Sequence, residues 1–170
     1  MPAKLDLYGR YGTSPSSDTD MKGHIFFTPV DSELSRHSTN PVGKPTGGAN
    51  TAYSMERYMF YKVAQAPNTV VSNIRLWTGI ISSPPATGVQ YFIGTTDSYV
   101  GPVITKSAIA VHRLHSTYPS YANSIKVTGS LVNVGDDSNF FVVQLHVEST
   151  ANVGIIDSTR TIVKSAWDES

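Results

Sequence analysis

Residues 110–121, AVHRLHSTYPSY, place two histidines, an arginine and two tyrosines within twelve positions. Imidazoles serve as metal ligands and as acid–base groups near neutral pH, so His112 and His115 are the first candidates for chemistry. A zinc site needs three or four convergent ligands, oriented by further hydrogen bonds behind them. The local pattern is a strand running into a Tyr-Pro turn, and on a strand positions i and i+3 point to opposite faces. Between Asp97 and Asp136 there is no Asp or Glu to supply a third ligand. The spacing therefore predicts neither a metal site nor a catalytic pair here.

The same acid-free span carries Lys106, Arg113 and Lys126 together with Tyr99, Tyr118 and Tyr121. Cations interleaved with aromatics suit a single-stranded nucleic-acid groove. Three charges, in a chain with 13 basic and 13 acidic residues, are too few for phosphate tracking, so no nucleic-acid partner is expected. Tyr, Trp and Arg are also the residues enriched at protein interfaces, and a contact surface is the expected use of Arg113, Tyr118 and Tyr121. A second aromatic stands in TVVSNIRLWTG, where alternation puts Trp77 on one strand face with Val71, Asn73 and Arg75, and Ile74 and Leu76 on the other. If Ile74 and Leu76 face a core, Arg75 and Trp77 face outward, as an interface anchor, as a sugar-stacking platform or beneath a crossing loop. Trp167, in the terminal SAWDES, is expected to plug the core from the last strand.

The remaining acids suggest turns. Asp18 and Asp20 lack the further oxygen ligands of a calcium loop, and Asp136-Asp137 in VGDDSN has the look of a hairpin tip. No nucleophile elbow, phosphate loop or helical His-Glu motif occurs. Glu33, Glu56, Asp157 and the histidines have no spacing that proposes an acid and a base. The expectation is no enzyme, no catalytic residue and no cofactor. The absence of cysteine excludes disulfides, thiolate metal sites and cysteine nucleophiles.

Charged residues make up 15% of the chain, against roughly 25% in a typical soluble domain. The polar surface must be built from Ser, Thr, Asn, Gln and Tyr, and near-zero net charge tolerates close association with copies or partners. The opening MPAKLDLYGRYG has no basic segment followed by an apolar one, and no run of eighteen apolar residues follows. The expectation is a soluble protein made in the cytoplasm with no membrane partner. No Asn-x-Ser/Thr acceptor occurs.

What must position these residues is a set of strands. Period-two alternation recurs in SMERYMFYKV, where Met55, Arg57, Met59, Tyr61 and Val63 share a face, and in NSIKVTGSL. In NFFVVQLHVEST one face holds Phe141, Val143, Leu145 and Val147, and the other begins apolar at Phe140 and Val142, which predicts a central strand partly covered on its second face. TVVSNIRLWTGII, GVQYFIGTT, YVGPVITKSAIAV with a break at Gly101-Pro102, and GIIDSTRTIVKSAW are further strand candidates, separated by turn signals such as SSPPATG and VGDDSN. No stretch has the pattern of an amphipathic helix. About eight strands over 51–170 predict an all-β sandwich, jelly-roll-like in arrangement. Residues 1–50, with short strands expected in LDLYGRYG and MKGHIFFTPV and long polar connectors between, predict an extended N-terminal arm that orders on a neighbour.

In PPATGVQYFIGTT, NFFVVQLHVEST and the terminal AWDES, the chain resembles small β-sandwich structural proteins of tailed-bacteriophage virions. That resemblance implies a capsid decoration or cement protein, or a neck, collar or tail component, located on the virion. Its partners would be copies of itself and a major capsid or other virion protein. The alternative is a carbohydrate- or host-surface-binding sandwich with Trp77, Tyr118 and Tyr121 as stacking platforms.

Overall fold

The computed structural model describes residues 2–13, 16–21, 25, 27–32, 41–46, 50–80, 87–113, 124–152 and 161–169. Among them the chain forms ten strands and no helix. In chain order these are β1 (Lys4–Tyr11), β2 (Ser17–Asp20), β3 (Thr51–Tyr53), β4 (Arg57–Gln65), β5 (Val71–Ile80), β6 (Val89–Thr96), β7 (His112–Arg113), β8 (Ile125–Val127), β9 (Phe140–Glu148) and β10 (Thr161–Glu169). One sheet has the order β2-β1-β4-β9-β6-β7, with β3 also pairing β9, and the second has the order β10-β5-β8. Every pairing is antiparallel. The fold is the expected all-β sandwich. Its described strands divide seven and three, and jelly-roll wiring is a finer statement than that division carries.

Alternation produces the core. Odd-numbered residues of the large sheet, among them Met59, Tyr61 and Val63 of β4, Phe141, Val143 and Leu145 of β9 and Tyr91 and Ile93 of β6, point toward the small sheet. There they meet Ile74, Leu76, Ile125 and Val127, and Trp167 packs against them from β10 as a plug. β9 is central and buried over eight of its nine residues. The second face of the large sheet carries another apolar cluster, Tyr58 and Phe60 of β4 with Phe140 and Val142 of β9, roofed by Tyr99, Ile109 and Ala110.

Two expectations change in detail. Val71 was expected beside Trp77 on the outer face, yet it is fully buried. Between them Asn73 adopts φ 50°, and three steps along β5, from Arg75 to Ser72, oppose two along β10, from Ala166 to Asp168. This bulge inserts one residue and switches the parity, so Val71 turns inward while Arg75 and Trp77 stay out. Asn tolerates the left-handed region better than most residues. The stretch 99–111, expected as a strand, is irregular, and only His112–Arg113 continues as β7. It lies over the sheet as a roof, which a strand with Gly101-Pro102 in it cannot do while pairing.

Within residues 1–50, the two described strands β1 and β2 are members of the large sheet. β1 pairs with β4 from Lys4↔Gln65 to Arg10↔Tyr58, Tyr11 is buried in the core, and Leu5 and Leu7 pack against it. Their apolar inward face makes the segment a sheet member, and β2, drawn from the polar GTSPSSDTD, pairs on β1's other edge. Residues 27–32 form no strand, but Thr28 is fully buried. Asp18 lies on β2 instead of in a turn, whereas Asp136 does close one: its Oδ2 accepts from the backbone N–H groups of Val132 and Asn133, both at 2.8 Å.

Candidate binding surfaces

The outward face of the three-stranded sheet is built by register. Arg75 on β5 stands opposite Lys126 of β8 on one side and Ala166 of β10 on the other, and Trp77 stands opposite Lys164. Directly paired residues share a face, so Trp77, Arg75, Lys126 and Lys164 form one surface. Lys126 and Lys164 are exposed, and Arg75 and Trp77 are half-buried. At the end of this face Asn73 donates from Nδ2 to Asp168 Oδ2 at 2.9 Å. Ile74 and Leu76 beneath are fully buried, which fixes the strand's orientation and holds Trp77 outward.

The second surface is the roof formed by residues 97–111. It is fastened from below by polar groups. The Glu56 N–H donates to the Val103 carbonyl at 3.0 Å and Glu56 Oε2 accepts from the Val103 N–H at 3.2 Å. Gln144, fully buried on β9, accepts from the Ser107 N–H at 2.9 Å and donates to the carbonyls of Thr105 at 2.7 Å and Ser54 at 3.0 Å. Tyr99 donates to the Gly12 carbonyl. Burial pushes the Tyr99 and Tyr58 hydroxyls up to about 12. The roof also turns aliphatic side chains to solvent: Val100 is 73% exposed, Val111 56%, Ile104 47% and Val103 42%.

Several charged groups are committed to the fold. Arg57 is 2% exposed at the edge of the core. Its Nη2 donates to Thr28 Oγ1 and, at 2.8 Å, to the Val30 carbonyl; its guanidinium lies 5.4 Å from the Tyr11 ring centroid, and Nη1 stands 3.9 Å from Asp31 Oδ1. Desolvation pulls its pKa below the ordinary arginine value. Arg10 holds Asp18 through bonds of 2.6 and 2.8 Å, and lies over the rings of Phe60, Tyr99 and Phe140. The hydrogen bond from Arg10 keeps the Asp18 carboxyl below the usual carboxylate range. Among the described residues no three His, Asp or Glu side chains gather as a metal-binding group.

Of the five predicted contact residues, Arg75 and Trp77 share the outer face of the small sheet. Arg113 lies elsewhere, exposed on β7 of the large sheet opposite Phe92. Tyr118 and Tyr121, with His115, lie outside the described residues. Sequence reasoning did not place Lys126 and Lys164 beside Trp77. Alternation in IKV marked Lys126 as outward, but the neighbour of a strand is a tertiary fact. It also took the exposed aliphatic roof for a strand. Comparison with known proteins returns no match: no family model, no curated protein and no solved structure is significantly similar to this chain.

Proposed function

We propose that this protein is a non-catalytic structural subunit of a tailed-bacteriophage particle, a capsid decoration or cement protein that stabilises the shell by contact with copies of itself and with a major capsid or other virion protein. The observation that supports this reading is the aliphatic roof. Val100, Val103, Ile104 and Val111 face water on a segment anchored by buried hydrogen bonds, a costly arrangement for a monomer and a ready one for a contact surface. The small number of charges agrees with it, since interface cores are depleted in charged residues. In this mechanism the roof, already ordered, docks without the entropic cost of folding a free arm.

Particles purified from the phage that encodes the chain are expected to contain it at a copy number that matches the shell's symmetry, measured by quantitative mass spectrometry. Its absence from particles would sink the proposal, and a low copy number would move it to the neck or tail. Replacing Val103 and Ile104 together by Asp is expected to leave the isolated protein folded and to abolish its binding to particles stripped of it. Unchanged binding by that variant would remove the roof from the contact.

A further inference from the structure

We infer that this chain associates head to tail with copies of itself, the tip formed by residues 131–137 of one copy seating on the roof of the next. The association shares the roof with the proposed function and does not depend on a virion. Among the described residues seven large aliphatic side chains are exposed. Four of them, Val100, Val103, Ile104 and Val111, lie on the roof, and two, Val132 and Val134, lie on the tip between β8 and β9. Scattered exposed aliphatics need no explanation, but aliphatics gathered in two places mark surfaces that a partner covers.

The two patches carry opposite charge. Lys106 and Arg113 stand two positions after Ile104 and Val111, both exposed, and neither is held in an ion pair among the described residues. No acid occurs from residue 98 to 113. The tip has no cation and carries Asp136 and Asp137. Asp137 pairs with Lys62 at 3.4 Å, whereas Asp136 accepts from the N–H groups of Val132 and Asn133, neutral donors that leave its negative charge uncancelled. Roof on roof or tip on tip would oppose like charges, while tip on roof joins unlike charges and lays valine on valine.

Position makes the contact intermolecular. Val103 of the roof is bonded to Glu56, just before β4, while Gly135 and Asp136 of the tip are bonded to Val63 near the other end of that strand. Seven residues of extended chain separate these anchors, roughly 23 Å at about 3.3 Å each. A contact between two different surfaces repeats from copy to copy, closing into a ring or extending as a filament. The tip is braced by the Asp136 bonds and by Leu131, 1% exposed in the core, so it docks without an ordering cost.

Sedimentation velocity of the full chain over a concentration series is expected to show reversible association that weakens as salt is raised. The tip variant Val132→Ser/Val134→Ser, the roof variant Val103→Asp/Ile104→Asp and the charge variant Lys106→Glu/Arg113→Glu are each expected to weaken it by about tenfold or more at unchanged circular dichroism. An equimolar mixture of the tip and roof variants keeps one intact roof and one intact tip, and is expected to form a dimer and nothing larger. A parent that stays monomeric, a tip or charge variant that associates like the parent, or a mixture that stays monomeric would each overturn the inference. A monomeric parent that still binds stripped particles would do so while leaving the virion proposal standing.

Discussion

His146 is a titratable side chain enclosed by aromatics. It is 6% exposed, stacks on Phe92 at 4.0 Å between centroids, meets the edge of Tyr53 at 4.7 Å and lies 3.0 Å from Gln144 Oε1. Because an amide oxygen only accepts, Nε2 carries the proton in the neutral ring. Burial first, and Lys106 second, push its pKa down to about 4 from an ordinary 6.5. The folded state thus binds this proton less readily than the unfolded chain. The stabilisation is complete above about pH 6.5 and is lost progressively as the pH falls toward 4. The Asp18 and Asp136 carboxylates titrate below their ordinary 3.8, so they add nothing to a change between pH 7 and 5. His146→Gln retains an N–H donor and removes the titration. Its melting temperature is expected to fall less than the parent's between pH 7 and 5, and an equal fall would show that His146 is not the group responsible.

At the scale of elements, the roof and the β6 strand below it are matched through Gly94. A Cβ at this position would lie 1.8 Å from the Ile109 carbonyl oxygen and 3.3 Å from Ala110 Cα. Backbone cannot yield as a flexible side chain can, so Gly94→Ala must lift the roof from Phe92 and Val142. The expected cost is about 2–4 kcal/mol, in the upper range for overpacking because backbone must shift. Faster hydrogen exchange is expected at Ile109 and Ala110, with little change at Leu76 or Ile125 in the other sheet. Exchange that rises equally in both sheets would mean that the roof does not move as a unit. The alternation of GVQYFIGTT reveals the strand from the sequence. The need for glycine at Gly94 is invisible there, because the obstructing carbonyl comes from residues fifteen positions along.

At the scale of the whole molecule, the first strand closes the large sheet. β1 covers the edge of β4, Ala3 N–H donates to Glu169 Oε2 of β10 at 2.8 Å, and Gly12 N–H donates to Asp31 Oδ2 at 2.8 Å. Removing residues 1–21 would strip Leu5, Leu7, Tyr11 and Met21 from the core and uncover the edge of β4. A chain starting at residue 22 is expected to lose cooperative thermal unfolding and to aggregate, measured by calorimetry and gel filtration. A sharp transition in that truncation would show that β1 is an accessory to a self-sufficient sandwich.

What the sequence by itself determined is the all-β class, the position of most long strands and the inward face of each, because side chains alternate with a period of two and hydrophobic burial acts residue by residue along that period. Arg75 and Trp77 were legible as outward for the same reason. Only the tertiary structure decided that β1 belongs to the sheet, that 99–111 is a roof, that Asn73 switches the parity before Val71, and that Lys126 and Lys164 flank Trp77. Each of these depends on which backbone edge pairs with which across long separations. That choice is made by the summed packing of both sheets, and no local pattern encodes it.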